Sequence, residues 1–155
     1  MLASKRGVLF LLLLWPFAFL AAQGSAEAQN DADEVDPVSY IGMTLEELLQ
    51  SFGLPRSVYA SRGFEVWQDD VVFVYDQGDF FVFKDRVWQV GIKSFRGINL
   101  GDPRGVVSLI LGSKVEDRPN ALFLPLNEKT WPMMLRCDFD SAGKIEAIFI
   151  YRTDF

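Results

Sequence analysis

Residues 41–53 read IGMTLEELLQSFG, and residues 100–112 repeat their pattern as LGDPRGVVSLILG, 59 residues later. Gly42 and Gly53 return as Gly101 and Gly112. Each copy precedes a run of strand-like segments. A short unit that cannot bury its own apolar face is stabilised by packing against a second copy. The pattern therefore predicts a single domain, 40–155, made of two repeats at 40–96 and 97–155.

Both copies carry the signals of a short helix. Thr44 stands before the apolar-periodic residues and Glu47 follows three positions later, which is the pattern of a capping box. Gly53 favours the left-handed conformation that ends a helix, and Pro55 prevents its continuation. In the second copy the corresponding signals are Asp102 as the cap, Pro103 at the first helical position and Gly112 at the end.

After each helix the hydrophobic period changes toward 2, which is typical of strands. The predicted strands are Gly63–Trp67, Val71–Tyr75, Phe80–Phe83, Val87–Ile92, Ala121–Leu126, Met133–Phe139 and Lys144–Tyr151. Their short connections suit antiparallel hairpins, because parallel strands need long crossovers. We predict an α+β fold in which two tandem helix-plus-antiparallel-hairpin repeats form one sheet with the helices on one face. Which face the helices cover stays open in the first repeat, since both alternating sets of residues 71–75 are apolar.

The amino terminus has the layout of a secretory signal peptide. Lys5 and Arg6 precede the apolar stretch Gly7 to Leu20, and Ala26-Glu27-Ala28 is a suitable cleavage triplet, with Gly24-Ser25-Ala26 as an alternative. We predict a signal peptide at 1–28, a flexible acidic leader at 29–39, and a protein exported to the periplasm or secreted. The apolar stretch is short for a bilayer span, so we expect no membrane span after cleavage.

The single cysteine, Cys137, excludes an intrachain disulfide. It lies far from the apolar stretch, so we expect no lipid anchor. Alternation places Cys137 with Leu135 and Phe139 on the apolar side of a strand, which favours a buried residue over a reactive thiol. The formal net charge of −6 disfavours nucleic acid and anionic lipid as partners.

The motif of Ile41-Gly42-Met43-Thr44, followed by Leu48, Phe52-Gly53 and Pro55, resembles the opening signature of the SmpA/OmlA (BamE-like) family of small envelope proteins. Two such units in tandem resemble the architecture of the β-lactamase inhibitory protein and its relatives. The resemblance implies short helices packed on one face of an antiparallel sheet, and a protein that binds other proteins. The chain departs from these groups because it lacks the lipidated cysteine of the first and the disulfides of the second.

Catalytic chemistry has little support in the sequence. The chain contains no histidine, which removes the commonest general base and the commonest metal ligand. We expect no enzymatic activity, no metal and no cofactor. Carboxylates near predicted turns leave a hydrolase as a weak alternative, with Asp69, Asp70, Asp138 and Asp140 as its candidate residues.

Aromatic residues are the strongest functional signal. The similarity of 86–90 to 144–148 puts Trp88 on the same face as Glu146, which we expect to be exposed. Large aromatic side chains are frequent in binding hot spots. We therefore predict partner-binding residues Trp88, Trp131, Trp67 and Tyr75, with burial in the core as the alternative for Trp67 and Tyr75. The predicted function is a non-enzymatic scaffold, assembly factor or inhibitor that binds another envelope or extracellular protein; the alternative is a carrier of a small apolar ligand or lipid in an aromatic-lined cavity.

Overall fold

The computed structural model of this chain describes residues 35–62, 69–112, 114–127 and 129–154. The helical elements are a 3-10 helix, η1 (Pro37–Tyr40), and the α-helices α1 (Leu45–Phe52) and α2 (Arg104–Leu111). The strands are β1 (Ser57–Ser61), β2 (Asp70–Val74), β3 (Asp79–Phe83), β4 (Arg86–Ile92), β5 (Ser94–Phe95), β6 (Ile98–Asn99), β7 (Glu116–Arg118), β8 (Ala121–Leu126), β9 (Met133–Phe139) and β10 (Ile145–Arg152). The predicted signal peptide, most of the predicted leader and the predicted strand Gly63–Trp67 lie outside the described residues.

The start of α1 confirms the predicted capping box. Thr44 Oγ1 accepts a hydrogen bond from the backbone N–H of Glu47, and the Glu47 carboxylate accepts one from the backbone N–H of Thr44. The predicted cap of α2 is wrong. Pro103 occupies the N-cap position, and no side chain caps this helix. The carboxylate of Asp102 accepts a hydrogen bond from the backbone N–H of Asn99 instead.

The main sheet has eight antiparallel strands in the order β1-β2-β3-β4-β10-β9-β8-β7, and β5 pairs with β6 in a separate ribbon. β4 and β10 meet at the centre, so residues far apart in sequence become neighbours there. Register shifts lie between Phe81 and Val82 in the β3–β4 pair and between Ile145 and Ala147 in the β9–β10 pair. Within the described ranges, no helix has the length and apolar character that crossing a membrane demands.

One face of the sheet carries the hydrophobic core. Leu48 of α1 and Val107 of α2 are fully buried there, together with sheet residues that include Phe80, Leu135 and Ile150. On β2, Phe73 pairs with Phe80 and packs against this core, whereas the alternate residues of the strand point to the opposite face. The sequence does not decide which face of residues 71–75 the helices cover. In the structure they cover the face that contains Phe73.

The predicted fold class is wrong. The described chain is a largely β fold, dominated by one eight-stranded antiparallel sheet, and is not an α+β arrangement of two helix-plus-hairpin repeats. The two helices are eight residues long and contribute one buried residue each, so the sheet itself supplies most of the core. The strands β1 and β7 were not predicted from the sequence, because their residues are mainly exposed and lack an apolar alternation. The division into repeats at 40–96 and 97–155 stays a prediction.

Candidate protein-binding face

The second face of the sheet, opposite to the core, is here called the open face. Antiparallel pairing aligns its side chains in rows that cross the strands. One row, from β1 to β8, consists of Tyr59, Val72, Phe81, Gln89, Tyr151, Met134 and Pro125. The next row, from β1 to β7, consists of Ser57, Val74, Asp79, Gly91, Phe149, Arg136, Phe123 and Glu116. The fold thus brings aromatic side chains from four strands onto one surface.

The large apolar side chains of the open face are partly exposed. Phe81, Phe123, Met134, Phe149 and Tyr151 are neither buried nor fully exposed, and the core cluster of described residues contains none of them. The helices α1 and α2 insert their buried residues into that cluster, on the other side of the sheet. These partly exposed rings make the open face a candidate interaction surface, since contiguous exposed apolar patches mark interaction sites.

Phe149 lies at the centre of the open face. Its ring packs on the backbone of Gly91, where a β-carbon would be 3.2 Å from Phe149 Cε1. The ring also meets Phe81 edge to face, with 6.3 Å between the ring centroids. The glycine therefore lets the ring lie close against the strand, and the neighbouring ring fixes its position.

Two arginines flank the aromatic rings. The guanidinium carbon of Arg136 lies 6.0 Å from the centroid of Phe149, and that of Arg118 lies 4.6 Å from the centroid of Phe123. Each arginine is held by a carboxylate on its own strand: Arg136 Nε is 2.6 Å from Asp138 Oδ1, and Arg118 Nε is 2.8 Å from Glu116 Oε1. The part of the open face formed by β7 to β10 therefore combines aromatic rings with guanidinium groups that can donate hydrogen bonds.

The hydroxyl of Tyr151 is kept neutral. Burial raises the pKa of Tyr151 above its ordinary value of 10.0, although the nearby guanidinium groups of Arg136 and Arg118 act in the opposite direction. A phenol of ordinary pKa is already protonated at neutral pH, so the hydroxyl of Tyr151 can donate a hydrogen bond at the surface.

The structure places Trp88 on the open face, at the register shift of β4. The indole Nε1 of Trp88 donates a hydrogen bond to Asp70 Oδ1 at 3.0 Å, and Asp70 shares its face with Val72, two residues further along β2. Burial raises the pKa of Asp70, the hydrogen bond from Trp88 opposes that rise, and the charge of Asp69 adds to it. The ring is half-buried, so part of it is accessible to a partner.

The other predicted contact residues lie elsewhere. Tyr75 is 6% exposed in the core, and its hydroxyl donates to the carbonyl of Gly53 at 3.1 Å. Trp131 packs against the core cluster, with the guanidinium carbon of Arg152 4.8 Å from its ring centroid. Trp67 lies outside the described residues. Of the three predicted residues that the structure describes, it therefore places Trp88 alone on the open face.

Three of the four candidate carboxylates are engaged separately. Asp70 accepts from Trp88, Asp138 pairs with Arg136, and Asp140 Oδ1 accepts from the backbone N–H groups of Ala142 and Lys144 in a turn. Among the described residues, no three Cys, Asp or Glu side chains are placed to hold a metal ion. The arrangement is that of aspartates in structural roles.

Sequence reasoning missed most of the open face. The signal was present in β9, where Arg136 and Asp138 alternate with buried residues and so place Met134 on the exposed side. In β10 the same parity argument assigns Phe149 and Tyr151 to one face. What the sequence could not provide was the pairing of β4 with β10, which joins the two halves of this surface.

Solved structures resemble this fold, whereas no protein-family model and no curated protein matches the sequence. An extracellular protein containing a SCP domain from Bacillus anthracis str. Ames aligns with a TM-score of 0.53 and 14% identity, over 81% of this chain and 48% of that one. A cysteine-rich secretory protein from Staphylococcus aureus subsp. aureus Mu50 aligns with a TM-score of 0.48 and 12% identity, over 78% and 47%. This chain spans about half the length of each neighbour, and the likeness to the first shows a common fold.

The resemblance to the SmpA/OmlA family and to the β-lactamase inhibitory protein architecture is wrong. The Bacillus anthracis neighbour, with its TM-score of 0.53, is described as containing a SCP domain, and no family model matches. The motif that suggested the family consists of a helix cap at Thr44 and Glu47 and a helix end at Gly53. Any short helix that precedes a strand needs such residues, so the motif does not distinguish one family from another.

Proposed function

We propose that this chain is an exported, non-enzymatic protein that binds another envelope or extracellular protein through the open face of its sheet. The observation that carries the proposal is the partly exposed aromatic surface around Phe149, which includes Phe81, Trp88, Phe123 and Tyr151. Export is supported by the predicted signal peptide and by the description of the Bacillus anthracis neighbour as extracellular.

The composition of the open face fits a protein partner. Tyrosine, tryptophan and arginine dominate binding hot spots, and Tyr151, Trp88 and Arg136 supply all three. Two of these side chains are restricted before binding, by the hydrogen bond from Trp88 to Asp70 and the ion pair of Arg136 with Asp138. Fixed side chains lose little entropy when a partner docks, which favours affinity.

The proposal of a non-enzymatic role rests on the chemistry of the residues. The chain has no histidine, and the single cysteine is fully buried. Burial raises the pKa of Cys137 to about 12, so the thiolate that a nucleophile requires is scarce at neutral pH.

The alternative function, a carrier of an apolar ligand, is less well supported. On the core side, the rings of Tyr40, Phe52, Tyr75 and Phe80 pack on one another with centroid separations of 5.3 to 5.6 Å, as expected of a filled core. A surface pocket of about 450 Å³ lies beside α1, but none of its lining residues is aromatic: Leu45, Glu46, Leu49, Gln50 and Asp85.

Photo-crosslinking in cells tests the proposal directly. A photoreactive phenylalanine analogue replaces Phe149 in one strain and Leu109, an exposed residue of α2, in a second strain. We expect one protein to be crosslinked from position 149 and not from position 109. Crosslinking of the same proteins from both positions, or of none from position 149, contradicts the proposal.

Native mass spectrometry of the purified chain checks for a bound small molecule, which a carrier would retain.

A further inference from the structure

The two outer strands of the main sheet differ in how their edges are protected. β7 has three residues, all charged, and Pro119 follows it. Charges, short length and proline are the usual devices that prevent an edge strand from pairing with another chain. β1 has five residues with no charge and no proline, and its one strand neighbour among the described residues is β2. Within the described part of the chain, the edge of β1 is therefore the less protected one.

The sequence of β1 is self-complementary in an antiparallel arrangement. It reads Ser-Val-Tyr-Ala-Ser from Ser57 to Ser61, with Tyr59 at its centre. When two copies pair antiparallel about Tyr59, Ser57 faces Ser61 of the second copy and Val58 faces Ala60 of the second copy. Pairs of this kind follow a two-fold axis, which is the commonest symmetry of soluble oligomers.

Apolar side chains are exposed along this edge. Val58 is 50% exposed and Tyr59 is 47% exposed, on opposite faces of β1. Val71, which pairs with Ala60, is also exposed, on the same face as Val58. We propose that this chain forms a two-fold symmetric dimer by antiparallel pairing of β1 with β1 of a second copy. The pairing covers Val58 and Tyr59 and joins the two sheets into one.

The charges next to β1 give the dimer a distinctive salt dependence. Arg56 of one copy faces Arg62 of the second copy, and each copy carries a formal net charge of −6. The ion pair of Arg56 with Asp76 reduces the repulsion between Arg56 and Arg62 of the second copy. Because salt screens repulsion between like charges, the dimer tightens as ionic strength rises. A complex held by opposite charges would weaken instead.

The dimer is independent of the proposed function. Three strands, β2, β3 and β4, separate β1 from Phe149 and Tyr151 on β10, so the centre of the open face stays accessible in the dimer. A five-residue strand is much smaller than the roughly 20 to 30 residues per side of a standard interface, so we expect a weak dimer that dissociates on dilution.

Sedimentation velocity across a concentration series tests the dimer on protein purified from cells that express the full chain. Val58→Lys places a charge on the edge, and Leu109→Lys makes the same change at an exposed site on α2. We expect Val58→Lys to weaken the dimer by about tenfold or more, because the two introduced charges lie diagonally across the pair and close to Arg56 and Arg62, and Leu109→Lys to leave it unchanged. A monomer throughout the series, or equal effects of both substitutions, overturns the proposal.

Disulfide formation tests the register without relying on the stability of Val58→Lys. Directly opposed residues in antiparallel strands have α-carbons about 4.5 to 5.5 Å apart, within the range of a disulfide. We expect Tyr59→Cys to crosslink to itself faster than Leu109→Cys, and Ser57→Cys to crosslink with Ser61→Cys rather than with itself. Equal rates for Tyr59→Cys and Leu109→Cys overturn the proposed pairing. The native Cys137 is buried and does not interfere.

Discussion

The indole nitrogen of Trp88 and the carboxylate of Asp70 are joined across the open face by a hydrogen bond of 3.0 Å. The bond connects β4 to β2, with β3 between them. It satisfies the polar atom of the indole and holds the ring at the sheet surface. The open face is therefore ordered by its own polar contacts as well as by strand pairing.

Asp70 makes the stability of the protein depend on pH. Its pKa in the folded state is raised, chiefly by burial, above the ordinary value of 3.8. The folded state therefore binds this proton more tightly than the unfolded state, and the free energy of unfolding falls as the pH rises from the ordinary pKa through the folded one. Asp70→Asn keeps the acceptor oxygen and removes the charge. We predict that Asp70→Asn is more stable than the natural protein at pH values well above the folded pKa, and that the difference disappears below about pH 3.

Urea unfolding at several pH values measures this difference. Asp85→Asn is the matched control, since Asp85 is exposed in the turn between β3 and β4. A stability difference for Asp70→Asn that is the same at acidic and neutral pH contradicts the assignment.

Gly42 is required by its neighbour as well as by its backbone. Its φ is +91°, and a β-carbon there would be 2.8 Å from Cζ2 of Trp131. Gly101 has a similar φ of +87° but no atom within 4 Å of the corresponding position. We predict that Gly101→Ala lowers the free energy of unfolding by about 1 to 2 kcal/mol through backbone strain. Gly42→Ala lowers it by about 1 to 3 kcal/mol more, through the clash. Equal losses in chemical denaturation would show that the Trp131 contact is unimportant.

The capping box of α1 contributes to stability through Thr44. We predict that Thr44→Ala lowers the free energy of unfolding by about 1 kcal/mol, because the backbone N–H of Glu47 loses its acceptor. Ser51→Ala removes a hydroxyl from the last turn of the same helix. It should not lower the free energy of unfolding, since alanine favours helix. Hydrogen bonds from Thr44 lower the pKa of Glu47, so its part in the box is present above the ordinary pKa of 4.5 and is lost as the pH falls through the folded value. An effect of Thr44→Ala that is no larger than that of Ser51→Ala contradicts this account.

Cys137 is predicted to be unreactive in the folded protein. It is fully buried, and burial raises its pKa to about 12. A thiol-specific reagent should modify it only after unfolding by denaturant, whereas the exposed thiol of Leu109→Cys should react at once under native conditions. Rapid modification of the natural protein in native buffer would show that the strand β9 opens locally.

Local features of this fold were predictable from the sequence, and long-range ones were not. Thr44, Glu47 and Gly53 specify the limits of α1 by contacts within a few residues, and alternation places Cys137 in the core with Leu135 and Phe139. The open face depends on the pairing of Tyr151 with Gln89, which lie far apart in the chain. No local pattern encodes that register. The burial of Tyr75 stayed open in the sequence for the same reason, since it depends on what covers its face of the sheet.

The measurement that tests the central claim most directly is isothermal titration calorimetry between this protein and the partner that crosslinking from position 149 identifies. The open-face account predicts that Phe149→Ala weakens binding of that purified partner by at least about tenfold, corresponding to about 1.4 kcal/mol, while Leu109→Ala leaves the affinity unchanged. Circular dichroism of both variants checks that they are folded. Unchanged affinity for a folded Phe149→Ala variant would contradict the claim that the open face of the sheet is the binding surface.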